Sequence, residues 1–86
     1  MGVPGRNSPP SKYLNLFGRR LKEIRLEKGI SATAMLARLE IQGWSIHNST
    51  LSDLEAGRRI ISDVELMVML KVLRADLTDL LPPKRR

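Results

Sequence analysis

The stretch Asn48-Ser49-Thr50-Leu51-Ser52-Asp53-Leu54-Glu55-Ala56-Gly57-Arg58-Arg59 holds the side chains best suited to recognition chemistry. Leu51 and Leu54 stand three apart and share one face of a helix. Asn48, Ser49, Ser52 and Asp53 then fall on the opposite face, and all four are short and polar. Gly57 stops the helix, and two arginines follow at once. Short hydrogen-bonding side chains on an exposed helix can reach base edges in a DNA major groove, while neighbouring arginines hold phosphates. Asparagine bonds adenine through two atoms, and serine is permissive. The same two residue types at positions 48 and 49 also favour a helix N-terminus for purely local reasons. Asp53 either accepts from cytosine N4 or pairs with Arg58 or Arg59 and orients them. Ser52 allows close approach or is simply solvated. His47 suits a helix start or the phosphate side of such a contact.

Other chemistries lack their residues. One histidine and no cysteine among 86 residues leave no disulfide framework, no thiolate zinc site and almost no nucleophile–base pair. The expectation is a protein that is not an enzyme and uses no metal or cofactor. No apolar run approaches a membrane span and the N-terminus lacks a signal-peptide core, so a cytoplasmic protein with no membrane partner is expected.

The formal net charge is +6, and its distribution is uneven. Residues 1–13 carry Arg6 and Lys12, and residues 82–86 carry Lys84, Arg85 and Arg86. Residues 14–81 hold ten basic and nine acidic side chains, a net of +1. Basic tails around a near-neutral domain suit a polyanion partner, or they serve solubility. The chain divides accordingly into a flexible arm over 1–13, a domain over 14–81 and a short basic tail over 82–86. Pro4, Gly5, Pro9 and Pro10 support the arm.

Hydrophobic spacing predicts the elements that must position the polar face. A first helix runs from Leu14, with Phe17, Leu21 and Ile24 on its apolar face, and stops at Gly29. Ser31 caps a second helix with Ala32, Met35, Leu36 and Leu39 inward. Trp44 and Ile46 form an apolar connector after Gly43, and a third helix occupies about 47–56. Ser62 and Glu65 have capping-box spacing before a fourth helix that reaches about Arg74. Asp76 caps a last short helix through Leu81, and Pro82-Pro83 ends the fold. The fold class is all-α, with five helices. Leu66, Met69, Leu70 and Leu73 make one apolar stripe on the fourth helix. Val64, Val68 and Val72 make a second stripe, which marks either a helix buried on both sides or a dimer surface.

In this order, Leu21-Lys22-Glu23-Ile24-Arg25 with Gly29-Ile30-Ser31, the stretch from Ser49 to Arg59, and Leu73-Arg74-Ala75-Asp76-Leu77-Thr78-Asp79-Leu80-Leu81 resemble the Cro- and phage-repressor-type, or Xre-like, helix-turn-helix family. The resemblance covers about residues 14–81. It implies a five-helix lambda-repressor-like domain whose third helix is the recognition helix. It also implies a bacterial or phage transcription regulator that binds double-stranded DNA, commonly as a homodimer. By the same match, Arg25 and Glu55 form an ion pair that ties the first helix to the third. Both lie near helix ends beside glycines, where a buried pair can fix orientation. The sequence departs from the family in three places. Ala32 replaces a frequent glutamine that contacts phosphate, and Leu36 replaces a frequent small alanine. The link between the second and third helices is longer than the usual tight turn by about five residues, resembling a longer variant of the motif. The rival class is a protein-interaction module, or an antitoxin-type partner, built on the same fold. Asp53, Ala32 and the near-neutral domain favour that rival.

Overall fold

Serine side chains satisfy the first free amides of two of the helices. In the computed structural model, which describes residues 13–81, the helices are α1 (Gly18–Glu27), α2 (Ala32–Ile41), α3 (Asn48–Ala56) and α4 (Asp63–Leu73). A single 3₁₀ turn, Leu77–Leu80, follows, and there is no strand among the described residues. The basic tail and the arm up to Lys12 lie outside the described residues.

Ser31 caps α2 by accepting from the Ala34 amide at 3.0 Å. Ser62 and Glu65 form the full capping box on α4, with Ser62 Oγ accepting from the Glu65 amide at 3.1 Å and Glu65 Oε1 from the Ser62 amide at 3.0 Å. Two expectations are corrected. The first helix starts at Gly18 rather than Leu14: Phe17 is its N-cap residue, without a side-chain cap, and Asn15 Oδ1 holds the Gly18 amide at 2.6 Å. Leu14 and Leu16 precede it and are exposed. The expected fifth helix is the 3₁₀ turn, so the α-helices number four among the described residues. The stretch between Asp76 and Leu81 is too short to sustain an α-helix and closes with i→i+3 bonds, Asp79 N–H to Asp76 O at 2.9 Å and Leu81 N–H to Thr78 O at 3.2 Å.

The core joins Leu21 and Ile24 of α1, Met35 and Leu39 of α2, Leu51 of α3, and Met69, Leu70 and Leu73 of α4. Trp44 and Ile46 pack against it from the connector. α4 lies against both α1 and α2. That central position dissolves the valine stripe as a unit. Val72 is only 8 % exposed and belongs to the core, Val68 is partly buried against it, and Val64 at the helix start is 69 % exposed. The three valines therefore do not form one free surface.

A buried ion pair crosses this core. Arg25 Nε lies 2.8 Å from Glu55 Oε2, and Nη2 lies 3.2 Å from Glu55 Oε1. Arg25 Nη1 donates to Ile30 O at 2.8 Å. The two residues are 6 % and 5 % exposed, and no buried side-chain polar atom among the described residues lacks a partner. One arginine thus joins α1, the turn into α2, and α3.

Gly18 provides a second junction. A Cβ there would sit 1.9 Å from Leu54 O and 2.8 Å from Asn15 Oδ1. Only glycine lets the start of α1 approach the end of α3 this closely. Asn15 Nδ2 completes the joint by donating to Leu54 O at 3.1 Å and Arg59 O at 2.7 Å.

Two stability predictions follow from these junctions. Arg25→Ala and Glu55→Ala should each cost about 3–5 kcal/mol in urea unfolding, because each strands a buried charge, and the double variant should lose clearly less than the sum. Additive losses below about 1 kcal/mol would show a solvated pair of little importance. Gly18→Ala sets two effects against each other. Alanine gains up to about 1 kcal/mol of helix propensity over glycine, whereas forced overpacking typically costs about 1–3 kcal/mol. The steric cost should win, since the opposing atom is backbone; a raised melting temperature for Gly18→Ala would refute that.

Candidate nucleic-acid interface

α3 is held at one end and open at the other. Leu51 and Leu54 turn into the protein, and Glu55 is fixed by Arg25. At the C-terminus Gly57 takes a left-handed conformation with φ 80°, and the Arg58 amide bonds Asp53 O at 2.9 Å. Tyr13 closes against this turn. Its Cδ1 would lie 2.8 Å from a Cβ on Gly57, and the next amide, Leu14 N–H, donates to Gly57 O at 2.8 Å.

The opposite face presents Asn48, Ser49 and Ser52 to solvent. None of the three makes a side-chain hydrogen bond with another described residue. His47 stands at the start of the helix. It is the N-cap residue, extended at φ −83° and ψ 160°, and its side chain makes no capping bond. It is exposed, and stands at the end of the helix away from Arg58 and Arg59.

Asp53 joins the arginines rather than the polar face alone. Its Oδ1 accepts from Arg58 Nε at 3.0 Å and lies 2.9 Å from Nη2. Both side chains remain largely exposed, so the pair contributes little to stability but holds the guanidinium in one direction. Arg59 Nη2 lies 3.8 Å from Glu65 Oε2, while the Arg59 carbonyl is held by Asn15. The two arginines therefore project from a loop whose backbone is tied to α3 through the Arg58 amide and to Asn15, ahead of α1, through the Arg59 carbonyl.

The long connector is ordered by its own contacts. Gly43 turns left-handed with φ 90°, the Gly43 amide bonds Glu40 O at 2.9 Å and the Trp44 amide bonds Leu39 O at 3.0 Å. Trp44 and Ile46 then anchor it on the core. The extra residues thus lengthen the turn without loosening the start of α3.

Sequence reasoning missed Asn15, Gly18 and Tyr13 as positioning residues. A signal existed for the first two. Asparagine three residues before a glycine, with the apolar period beginning beyond it, is a helix-start pattern. Nothing local links Tyr13 to Gly57, which is distant in sequence.

No described helix is long and apolar enough to cross a membrane. No curated protein and no solved structure matches the chain significantly. The profile of a helix-turn-helix domain family matches residues 16–81, which span all four helices and the closing turn. Coming on top of an all-helical fold in which α3 is clamped at one end and shows solvent a short polar face, that match over most of the sequence means that the chain belongs to the helix-turn-helix domain family.

Proposed function

We propose that the protein is a sequence-specific regulator of transcription, of the repressor-like Xre type, that lays α3 in the major groove of double-stranded DNA. The observation that carries this reading is the contrast between the two ends of α3. Its C-terminal half is locked by Glu55, Leu54 and Gly57, whereas Asn48, Ser49 and Ser52 on its first turns are exposed and without side-chain partners. Major-groove readers place base-contacting side chains on those first turns. Asn48 supplies a bidentate edge for adenine, and the small serines permit close approach. Arg58 and Arg59 hold phosphate at the far end of the helix, with Asp53 orienting Arg58, and His47 faces phosphate at the near end. The basic residues of segments 1–13 and 82–86 add charge for the same polyanion. A homodimer suits a two-fold site, although the valines of α4 do not supply its surface as a set.

One observation favours the rival reading of a protein-interaction module. Both clamp arginines already face a carboxylate, Arg58 at Asp53 and Arg59 at Glu65, in a domain whose net charge over 14–81 is only +1. Random-sequence duplex titrated at several salt concentrations separates the two. Arg58→Ala with Arg59→Ala should weaken binding to every sequence. Each lost phosphate contact should also flatten the log–log salt slope by roughly 0.9. An unchanged affinity and slope in the double variant would remove the clamp.

Base reading has its own test. Asparagine adds no charge, so Asn48→Ala should leave non-specific affinity nearly constant while relaxing preference at one or two positions of a site selected from random duplex. The expected discrimination lost is about 1–3 kcal/mol at each such position. Wild type that enriches no sequence would favour the protein-interaction module. Identical enrichment by wild type and variant would remove Asn48 from base reading.

A further inference from the structure

We propose that the cleft between the C-terminal ends of α2 and α4 docks an acidic, partly aliphatic segment of a partner protein. The cleft measures about 340 Å³ and is lined by Arg38, Ile41, Gln42, Lys71, Val72 and Arg74. Three of these side chains are cationic and none is a carboxylate.

The cations belong to this end of the fold by construction. Arg38 Nη1 donates to Val72 O at 3.0 Å, and Lys28 Nζ donates to both Leu73 O and Arg74 O at 2.8 Å. These bonds satisfy the last carbonyls of α4, where cations are electrostatically favoured. Lys71 and Arg74 make no side-chain bond with another described residue. Most arginines elsewhere face a carboxylate: Arg20 meets Glu23 and Glu27, Arg25 meets Glu55, Arg58 meets Asp53 and Arg59 meets Glu65. Glu40 is two residues from Arg38 and so points to another side of α2. Five acidic residues of the domain, Glu23, Glu27, Asp53, Glu55 and Glu65, are thus paired with arginines away from this cleft, and none lines it.

Arg74 adds an independent observation. It ends α4 in the left-handed conformation, φ 56° and ψ 48°. The other left-handed residues of the described chain are Gly29, Gly43 and Gly57, one at the end of each other helix. A side chain in this conformation costs backbone energy that glycine avoids. A cation stands here where the fold alone favours glycine.

The lining also tells two polyanions apart. Ile41 is 80 % exposed at the cleft's edge, and a phosphodiester chain offers nothing to cover it. A peptide with two carboxylates and a leucine or isoleucine satisfies both parts. α4 has 11 residues, so Arg74 lies roughly 16 Å along the axis from the loop that carries Arg58 and Arg59. The loop cations and the cleft cations thus stand at opposite ends of α4.

The test pans a library of random twelve-residue peptides on the full chain, then measures the enriched peptides by fluorescence anisotropy. Lys71→Glu and Arg74→Gly are the variants, chosen because neither side chain makes a hydrogen bond or ion pair with another described residue. The expected result is enrichment of acidic, leucine- or isoleucine-containing peptides. Arg74→Gly should bind them about tenfold more weakly without a lower melting temperature, and Lys71→Glu more weakly still. Both variants should bind random duplex like wild type, so failure of the DNA reading shows separately, in wild type itself. No such enrichment, or equal binding by Lys71→Glu, overturns the proposal. A loss of duplex affinity comparable to that of the Arg58, Arg59 double variant makes the cleft a DNA contact instead. A sedimentation coefficient that falls in Lys71→Glu makes the occupant a second copy of the chain.

Discussion

The Arg25–Glu55 pair is the interaction on which the geometry of α3 depends. Taking two charges out of water costs several kcal/mol each, and mutual attraction offsets this only when every remaining donor is satisfied. Here both carboxylate oxygens face the guanidinium, and the third contact goes to Ile30 O. Such a pair is a poor source of net stability, because well-packed apolar residues often do as well. It is a good source of register. An apolar contact tolerates sliding and rotation, whereas a bidentate pair in low dielectric does not. A helix that reads base edges within hydrogen-bonding distance, as proposed for α3, needs the second property more than the first.

The other constraints on α3 lie at the same end. Asn15 bridges Leu54 and Arg59, Gly18 allows the backbones to touch, and Tyr13 covers Gly57. Each of these would be misplaced by a small rotation of the helix. The N-terminal end carries none of them, and His47 does not even cap its own helix. Rigidity and availability are thereby divided along nine residues of one helix. The loop arginines gain from the rigid end, since their backbone is bonded to Asn15 and their charges to Asp53 and Glu65.

Local signals made much of this legible before any coordinates. The capping residues Ser31 and Ser62 and the glycines after α1 and α3 mark real boundaries, because a cap acts within one turn of chain. The periodic positions Leu21, Ile24, Met35, Leu39, Leu51, Met69, Leu70 and Leu73 are buried, since an amphipathic helix has only one way to face a core. The start of α1 was misread for a specific reason. Leu14, Leu16 and Phe17 continue an apolar run, but Asn15 holds the Gly18 amide and the helix starts only there. The last segment was misread because a cap and an apolar period do not reveal length limits on α-helical bonding. Val72 shares a stripe with Val64 in sequence but not in burial, and periodicity alone cannot say how far a neighbouring helix extends over each position. At the candidate site, the identities of Asn48, Ser49, Ser52, Arg58 and Arg59 could be read from spacing. The direction of Asp53 toward Arg58 could not, because both alternatives are chemically sound until the turn at Gly57 is known.

Charge shows the same limit more sharply. In sequence, residues 14–81 are nearly neutral, which suggests a domain with little electrostatic character. In space that neutrality separates into matched and unmatched regions. Carboxylates are used on α1, in the core and around the α3–α4 loop, where they pair with Arg20, Arg25, Arg58 and Arg59. Lys28, Arg38, Lys71 and Arg74 come from three different helices or their ends and meet where α4 stops. A helix terminus with free carbonyls draws cations toward it, and once those carbonyls are satisfied the remaining positive charge faces outward. Net charge is therefore the wrong quantity for judging what this domain attracts. The quantity that matters is which cations have no carboxylate within reach, and only the packing of α2 against α4 decides that.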